Sequence, residues 1–80
     1  MIDADEKLRL RKLFDAANEA LFRVEVALAQ LPEAKYIKRD IGNTRSRLCE
    51  AQENATGEEA RTYTRTDFEV ERVRQERHED

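Results

Sequence analysis

The chain has 80 residues, of which 41% are charged and 39% hydrophobic, and its formal net charge is -3. At this length a single hydrophobic core supplies roughly 3–5 kcal/mol of net stability, so oligomerisation or a partner is expected to add more. The single cysteine, Cys49, excludes an intrachain disulfide, and with the single His78 it provides too few ligands for a structural zinc site. The composition is typical of long solvated helices or coiled coils.

The first predicted helix spans about residues 4–30. Its apolar residues recur at alternating spacings of four and three, a heptad stripe that is typical of helix–helix packing. Asp3 and Glu6 have the spacing of a capping box at its start, and Pro32 blocks its continuation. The stripe consists of Leu10, Phe14, Ala17, Leu21, Val24, Leu28 and Leu31.

The second predicted helix spans about residues 33–55 and carries a weaker heptad stripe. Gly42 lies within it and costs about 1 kcal/mol relative to alanine, whereas Gly57 has the position of a C-terminal cap. The short break at Pro32 and the similar helix lengths favour an antiparallel helical hairpin over residues 1–57, with the two stripes as its seam. The second stripe consists of Ala34, Ile37, Ile41, Thr44, Leu48, Ala51 and Ala55.

Residues 58–80 are predicted to form a C-terminal arm. From Thr62 to Val70, β-branched or aromatic residues alternate with polar ones, which is typical of a strand. However, Thr66 and Glu69 have the spacing of another capping box, and the residues that follow have helical spacing. We therefore predict an extended segment over about residues 58–66 and a short helix over about residues 67–77.

A second apolar face is predicted on the first helix, roughly opposite its stripe. Because this face needs a second neighbour, we expect a C2 homodimer that forms a four-helix bundle, or another protein partner. Scattered surface residues and a weakly docked arm are the alternative. The expected contact residues are Leu8, Phe22, Val26 and Ala29 on the helix and Tyr63, Phe68, Val70 and Val73 on the arm.

The second helix is also locally basic, and four of its cations fall on one flank. These residues, Lys35, Lys38, Arg39 and Arg45, have the geometry of an anion-binding surface. Pairing with Asp15, Glu19 and Glu25 across the hairpin would explain the same charges.

No catalytic, metal-binding or cofactor motif is found, and helical periodicity places no activating histidine beside Cys49, so the sequence does not predict an enzyme. The leading hypothesis is a homodimeric adaptor, chaperone or inhibitor of another protein, of the kind that bacteria and phages encode. A nucleic-acid-associated regulator that uses the basic flank is the alternative, and a coiled-coil part of a larger assembly is the third reading. The acidic N-terminus and the lack of a long apolar run predict a cytoplasmic protein without membrane contact.

Overall fold

Three helices account for most of the chain: α1 (Ala4–Ala29), α2 (Lys35–Thr56) and α3 (Arg65–Arg77). The structure is a computed structural model that describes residues 2–77, and within this range no strand occurs. A short 3₁₀ turn, Pro32–Ala34, joins α1 to α2, and these two helices pack against each other as a hairpin. The all-helical class and the helical hairpin are thus confirmed, whereas His78 and the end of the predicted arm lie outside the described residues.

The start of α1 and the end of α2 are capped by the residues that the sequence indicated. The Asp3 carboxylate accepts a hydrogen bond from the Glu6 backbone N–H at 2.8 Å, which satisfies one of the donors exposed at the start of α1. At the end of α2, Gly57 adopts a left-handed conformation, with φ 74°, and its N–H bonds the Glu53 carbonyl. A residue with a side chain would be strained in this conformation, which explains the glycine.

The cap of α3 lies two residues before the predicted one. The Thr64 hydroxyl accepts a hydrogen bond from the Asp67 N–H at 3.2 Å, and the Asp67 carboxylate accepts one from the Thr64 N–H at 2.9 Å. This reciprocal pair is a capping box, and it starts the helix at Arg65 rather than near residue 67. The prediction of a cap at Thr66 and Glu69 is therefore wrong, because Thr66 already lies within α3. The predicted helical spacing is borne out, since Arg72 pairs with both Glu69 and Glu76.

The interior of the hairpin is more polar than predicted. Among residues 2–77 the buried apolar side chains are Phe22, Val26 and Ala34, and they are accompanied by buried Asn18 and Gln52. Gln52 Nε2 donates a hydrogen bond to Asp15 Oδ1 at 3.0 Å, between facing positions of α1 and α2.

A buried ion pair joins the two helices further along the hairpin. Arg45 Nε donates to Glu25 Oε2 at 2.8 Å, and both side chains are largely buried. Gly42 makes room for it, because a Cβ at that position would lie 2.8 Å from Glu25 Oε1. Contacts of residues 15 with 52 and 25 with 45 also establish that the helices run antiparallel.

The prediction that the two heptad stripes form the seam of the hairpin is therefore corrected. The face of α1 that was expected to look outward carries Phe22 and Val26, and these are the side chains that the chain itself buries. The heptad stripe of α1 lies to one side of this interior and is only half buried or exposed. Periodicity identifies an apolar stripe, but it does not identify which neighbour covers that stripe.

Candidate interaction surfaces

The arm covers the face of α1 that carries Phe22. The rings of Phe22 and Tyr63 are stacked, with centroids 3.9 Å apart and planes within 6° of parallel. The Arg61 guanidinium lies 4.6 Å from the centroid of the Tyr63 ring, and the Arg61 carbonyl accepts a hydrogen bond from Asn18 Nδ2. Burial raises the pKa of the Tyr63 hydroxyl, an effect that the charge of Arg61 partly opposes. These contacts dock the extended segment before α3 onto the hairpin.

Polar contacts then hold α3 against α1. Glu71 is buried, and its carboxylate accepts a hydrogen bond from Arg23 Nε at 3.3 Å and one from Gln75 Nε2 at 2.8 Å. Gln75 Nε2 also reaches the Arg23 carbonyl at 3.0 Å. These few side-chain contacts hold α3 against α1. Moving α3 away would leave the buried Glu71 carboxylate without its partners, which costs free energy.

The heptad stripes of both helices are only partly covered by residues 2–77, apart from Ala34, which is buried. Leu48 of α2 meets Leu10, Phe14 and Ala17 of α1 in a shallow groove whose outer edge is Leu13. We call this surface the open face, and it comprises the α1 stripe, Leu13, and the α2 stripe from Ile37 onward. Its exposed large apolar members are Leu13 (61%), Ile37 (55%), Leu31 (47%) and Val24 (43%).

The open face is long and uncharged along α1. From Leu10 to Leu31 it extends about 30 Å at 1.5 Å per residue, and Leu13 and Val24 are exposed along its outer edge. Val24 lines a hollow that Arg23 and Arg74 also line, so charged side chains border the face there. Two helices side by side are about 20 Å wide, so the face covers roughly 600 Å² in projection. A monomer rarely leaves an apolar patch of this extent uncovered unless it has a binding role.

The basic flank contains one cation that joins the two helices and three that lie exposed on the surface. Arg45 pairs with Glu25, and its guanidinium lies 5.7 Å from the Tyr63 ring centroid and 5.9 Å from that of Phe22. The expected pairing across the hairpin therefore accounts for Arg45 alone. Lys35, Lys38 and Arg39 are exposed and form no ion pair with the acids of residues 2–77, although Arg39 lies 6.0 Å from the ring of Tyr36.

The arm turns one end of this flank into a cleft of about 470 Å³. Lys38 of α2 lies on one wall, and Arg65 and Phe68 of α3 lie on the other. Behind them are the stacked rings and the ion pair of Glu25 with Arg45. We call this site the basic cleft. The sequence did not indicate that Arg65 and Phe68 would join the basic flank, because the path of the arm depends on the Tyr63 contact.

The remaining predicted contact residues are divided between surface and interior. Leu8, Ala29, Val70 and Val73 are exposed, at 48% for Leu8 and 54% for Val70, and they lie outside the open face. Tyr63 and Phe68 are half buried against the chain itself.

Cys49 lies at the edge of a shallow hollow between α2 and the arm. Burial raises the pKa of its thiol, and the nearby Glu53 adds to this while Arg45 opposes it. A raised pKa leaves less of the thiolate that a nucleophile requires. Within residues 2–77 no group of His, Cys, Asp and Glu side chains is arranged to hold a metal ion. No helix in that range has the length and apolar character needed to cross a bilayer.

Comparison with known proteins gives no further guide. No protein-family model matches the chain, and no significant similarity to a curated protein or to a solved structure is found.

Proposed function

We propose that the protein is a non-enzymatic protein–protein interaction module that forms a homodimer through its open face. Two hairpins joined in this way make a four-helix bundle, and the dimer then serves as an adaptor, chaperone or inhibitor of a target protein. The observation that carries the proposal is a half-exposed apolar face on which the α1 stripe meets Leu48 of the α2 stripe. We also expect it to act in the cytoplasm, where a lone thiol such as Cys49 stays reduced.

A second copy fits the open face in spacing, charge and size. Heptad spacing keeps an apolar stripe directed toward a partner helix along its whole length. A surface without charge can meet its own copy across a two-fold axis without like-charge repulsion, which matters for a chain of net charge -3. The projected area of roughly 600 Å² is close to the accessible area of about 800 Å² that each partner buries in a stable complex.

Light scattering coupled to size exclusion, at micromolar concentration, tests this proposal directly. The wild type is expected to elute with the mass of a dimer. The substitutions Leu13→Glu and Val24→Glu together are expected to give a monomer, because both side chains are already exposed in the single chain and are buried only in the bundle. Each substitution occurs twice in the dimer, which doubles its effect.

A matched variant carries Leu8→Glu and Val70→Glu, which add the same charges at similarly exposed positions outside the open face. It should remain a dimer. A wild-type protein that has the mass of a monomer at micromolar concentration refutes the homodimer. Dissociation of the Leu8 and Val70 variant instead would assign the interface to the outer side of α1 and the arm.

One observation favours the nucleic-acid alternative. Lys35, Lys38 and Arg39 remain free of ion pairs with acids of the described range, so the flank keeps its positive charge. Binding of single-stranded and duplex DNA across a salt series tests this function, since phosphate contacts release counterions and their affinity falls steeply with salt. No binding at low salt removes it.

A further inference from the structure

The charges of the basic cleft do not cancel. Its lining holds three cations against two carboxylates. Glu25 is paired with Arg45 at 2.8 Å, and Glu69 is paired at 3.0 Å with Arg72, which also pairs with Glu76. Lys38 and Arg65, on opposite walls, form no ion pair with any residue between positions 2 and 77. Two cations that line one cleft, with no ion-pair partner among residues 2–77, attract an anion into that cleft.

The cleft is also apolar on one side. Phe68 is half buried and contributes to the wall that carries Arg65. A small inorganic anion would satisfy the two cations and leave this ring exposed to water. An occupant that carries both carboxylates and an apolar side chain would cover the ring as well.

The stacking arrangement disfavours a nucleic acid as the occupant. Single-stranded nucleic acids bind such clefts by stacking bases on exposed aromatic faces. Both sides of the Tyr63 ring are taken, since Phe22 lies 3.9 Å away in a parallel stack and the Arg61 guanidinium lies 4.6 Å from the ring centroid. Phe68 is then the aromatic side chain of the cleft lining that is left for a base, and it is half buried, so the lining offers one partial platform rather than the succession of aromatic faces on which bases stack.

We propose that the basic cleft binds an acidic polypeptide segment of another protein, which pairs its carboxylates with Lys38 and Arg65 and packs an apolar side chain on Phe68. Lys35, one helical turn from Lys38, extends the cationic surface for a longer acidic segment. The cleft lies on the arm side of the hairpin, whereas the proposed dimer uses the open face. The two proposals can therefore fail independently.

Fluorescence anisotropy with a labelled peptide of glutamates around a central phenylalanine tests the site in the full chain. The peptide should bind with an affinity that falls as salt rises, and replacing its phenylalanine by serine should weaken binding several-fold. The variant Lys38→Glu, Arg65→Glu should bind about tenfold more weakly or worse at 0.15 M salt, because each reversal turns an attraction into a repulsion. Both positions are exposed, and a glutamate in the first turn suits the dipole of α3, so the fold is expected to persist.

The matched control is Arg9→Glu, Lys12→Glu, which changes the net charge by the same amount. Lys12 lies ten residues before Phe22, or roughly 15 Å along α1, which exceeds the Debye length at this salt concentration. This variant should bind the peptide within about twofold of the wild type. The proposal is overturned if the anisotropy of the acidic peptide does not change at low salt. It is also overturned if the two variants lose the same amount of peptide affinity. Tighter binding of single-stranded oligothymidylate that depends on Lys38 and Arg65 would assign the cleft to nucleic acid instead.

Discussion

Replacing Tyr63 by alanine should release the arm from the hairpin. The stack on Phe22 contributes about 1 kcal/mol beyond the area that it buries, and the Arg61 guanidinium over the ring contributes about 0.5 kcal/mol. Removal of most of an aromatic ring from water adds about 1.5 kcal/mol. The arm should therefore lose roughly 3 kcal/mol of docking free energy, which corresponds to about a hundredfold change in its open population.

Native-state hydrogen exchange measures this opening locally. The amides of α3 are expected to exchange about a hundredfold faster in Tyr63→Ala, while those in the middle of α2 keep their protection. Tyr36→Ala is the matched control, because Tyr36 is 74% exposed and makes no stacking contact with the described residues. Unchanged α3 exchange in Tyr63→Ala, or an equal effect of both substitutions, would show that the stack does not hold the arm.

Three further outcomes are expected at other positions. Val26→Ala should lower the free energy of unfolding by about 2 kcal/mol in urea titration, since it empties a fully buried site, whereas Val70→Ala at an exposed site should cost less than about 0.5 kcal/mol. Hydrogen bonds from Thr64 hold the pKa of Asp67 below its usual value, so this carboxylate stabilises the α3 cap above about pH 4. That contribution should be lost as pH falls through the lowered pKa, and circular dichroism should show no such loss in Asp67→Ala beyond its lower starting helicity. Because burial raises the pKa of the Cys49 thiol, iodoacetamide should alkylate it more slowly at pH 8 than it alkylates glutathione, and the Cys49 rate should rise in Glu53→Gln.

The helices and their ends could be predicted from sequence because they depend on neighbours close along the chain. The heptad spacing marks α1 and α2, Asp3 supplies a local cap, and Gly57 permits the left-handed residue that ends α2. The start of α3 was misplaced by two residues because Thr64 and Thr66 each precede an acid at capping-box spacing. The carboxylate of Asp67 decides between them by bonding back to the Thr64 N–H.

The neighbours of each face could not be predicted in the same way. The sequence predicts the heptad stripes as the seam of the hairpin, yet the two helices are joined by a hydrogen bond from buried Gln52 to exposed Asp15 and by the partly buried pair of Glu25 and Arg45. The sequence offered pairing across the hairpin as one explanation of the basic flank, and the structure realises it at Glu25 and Arg45. It did not indicate that such polar contacts, between residues 20 or more positions apart, would occupy the seam in place of the stripes. Gly42 was a second signal beside these complementary charges, because a glycine within a helix often marks the close approach of another group, here the Glu25 carboxylate.

The basic cleft shows the same dependence on long-range contacts. Its α2 cations were found by helical periodicity, but Arg65 and Phe68 reach them only because Tyr63 packs on Phe22, 41 positions away in the chain. Local sequence patterns can identify the cations that α2 contributes to such a site. The residues that α3 contributes can be identified only once the path of the segment that connects the two helices is known.

The order in which the chain is synthesised gives the Tyr63 contact a further consequence. The hairpin emerges from the ribosome before the arm does. The Phe22 ring is therefore exposed until the extended segment brings Tyr63 against it. During that interval the hairpin presents apolar side chains on both sides, at Phe22 and along the open face. A nascent chain that is released near Gly57 would keep both apolar surfaces exposed, and we expect such a product to need a chaperone or to aggregate. Synthesis of the next twenty residues allows the arm to cover Phe22, which leaves the open face as the exposed surface.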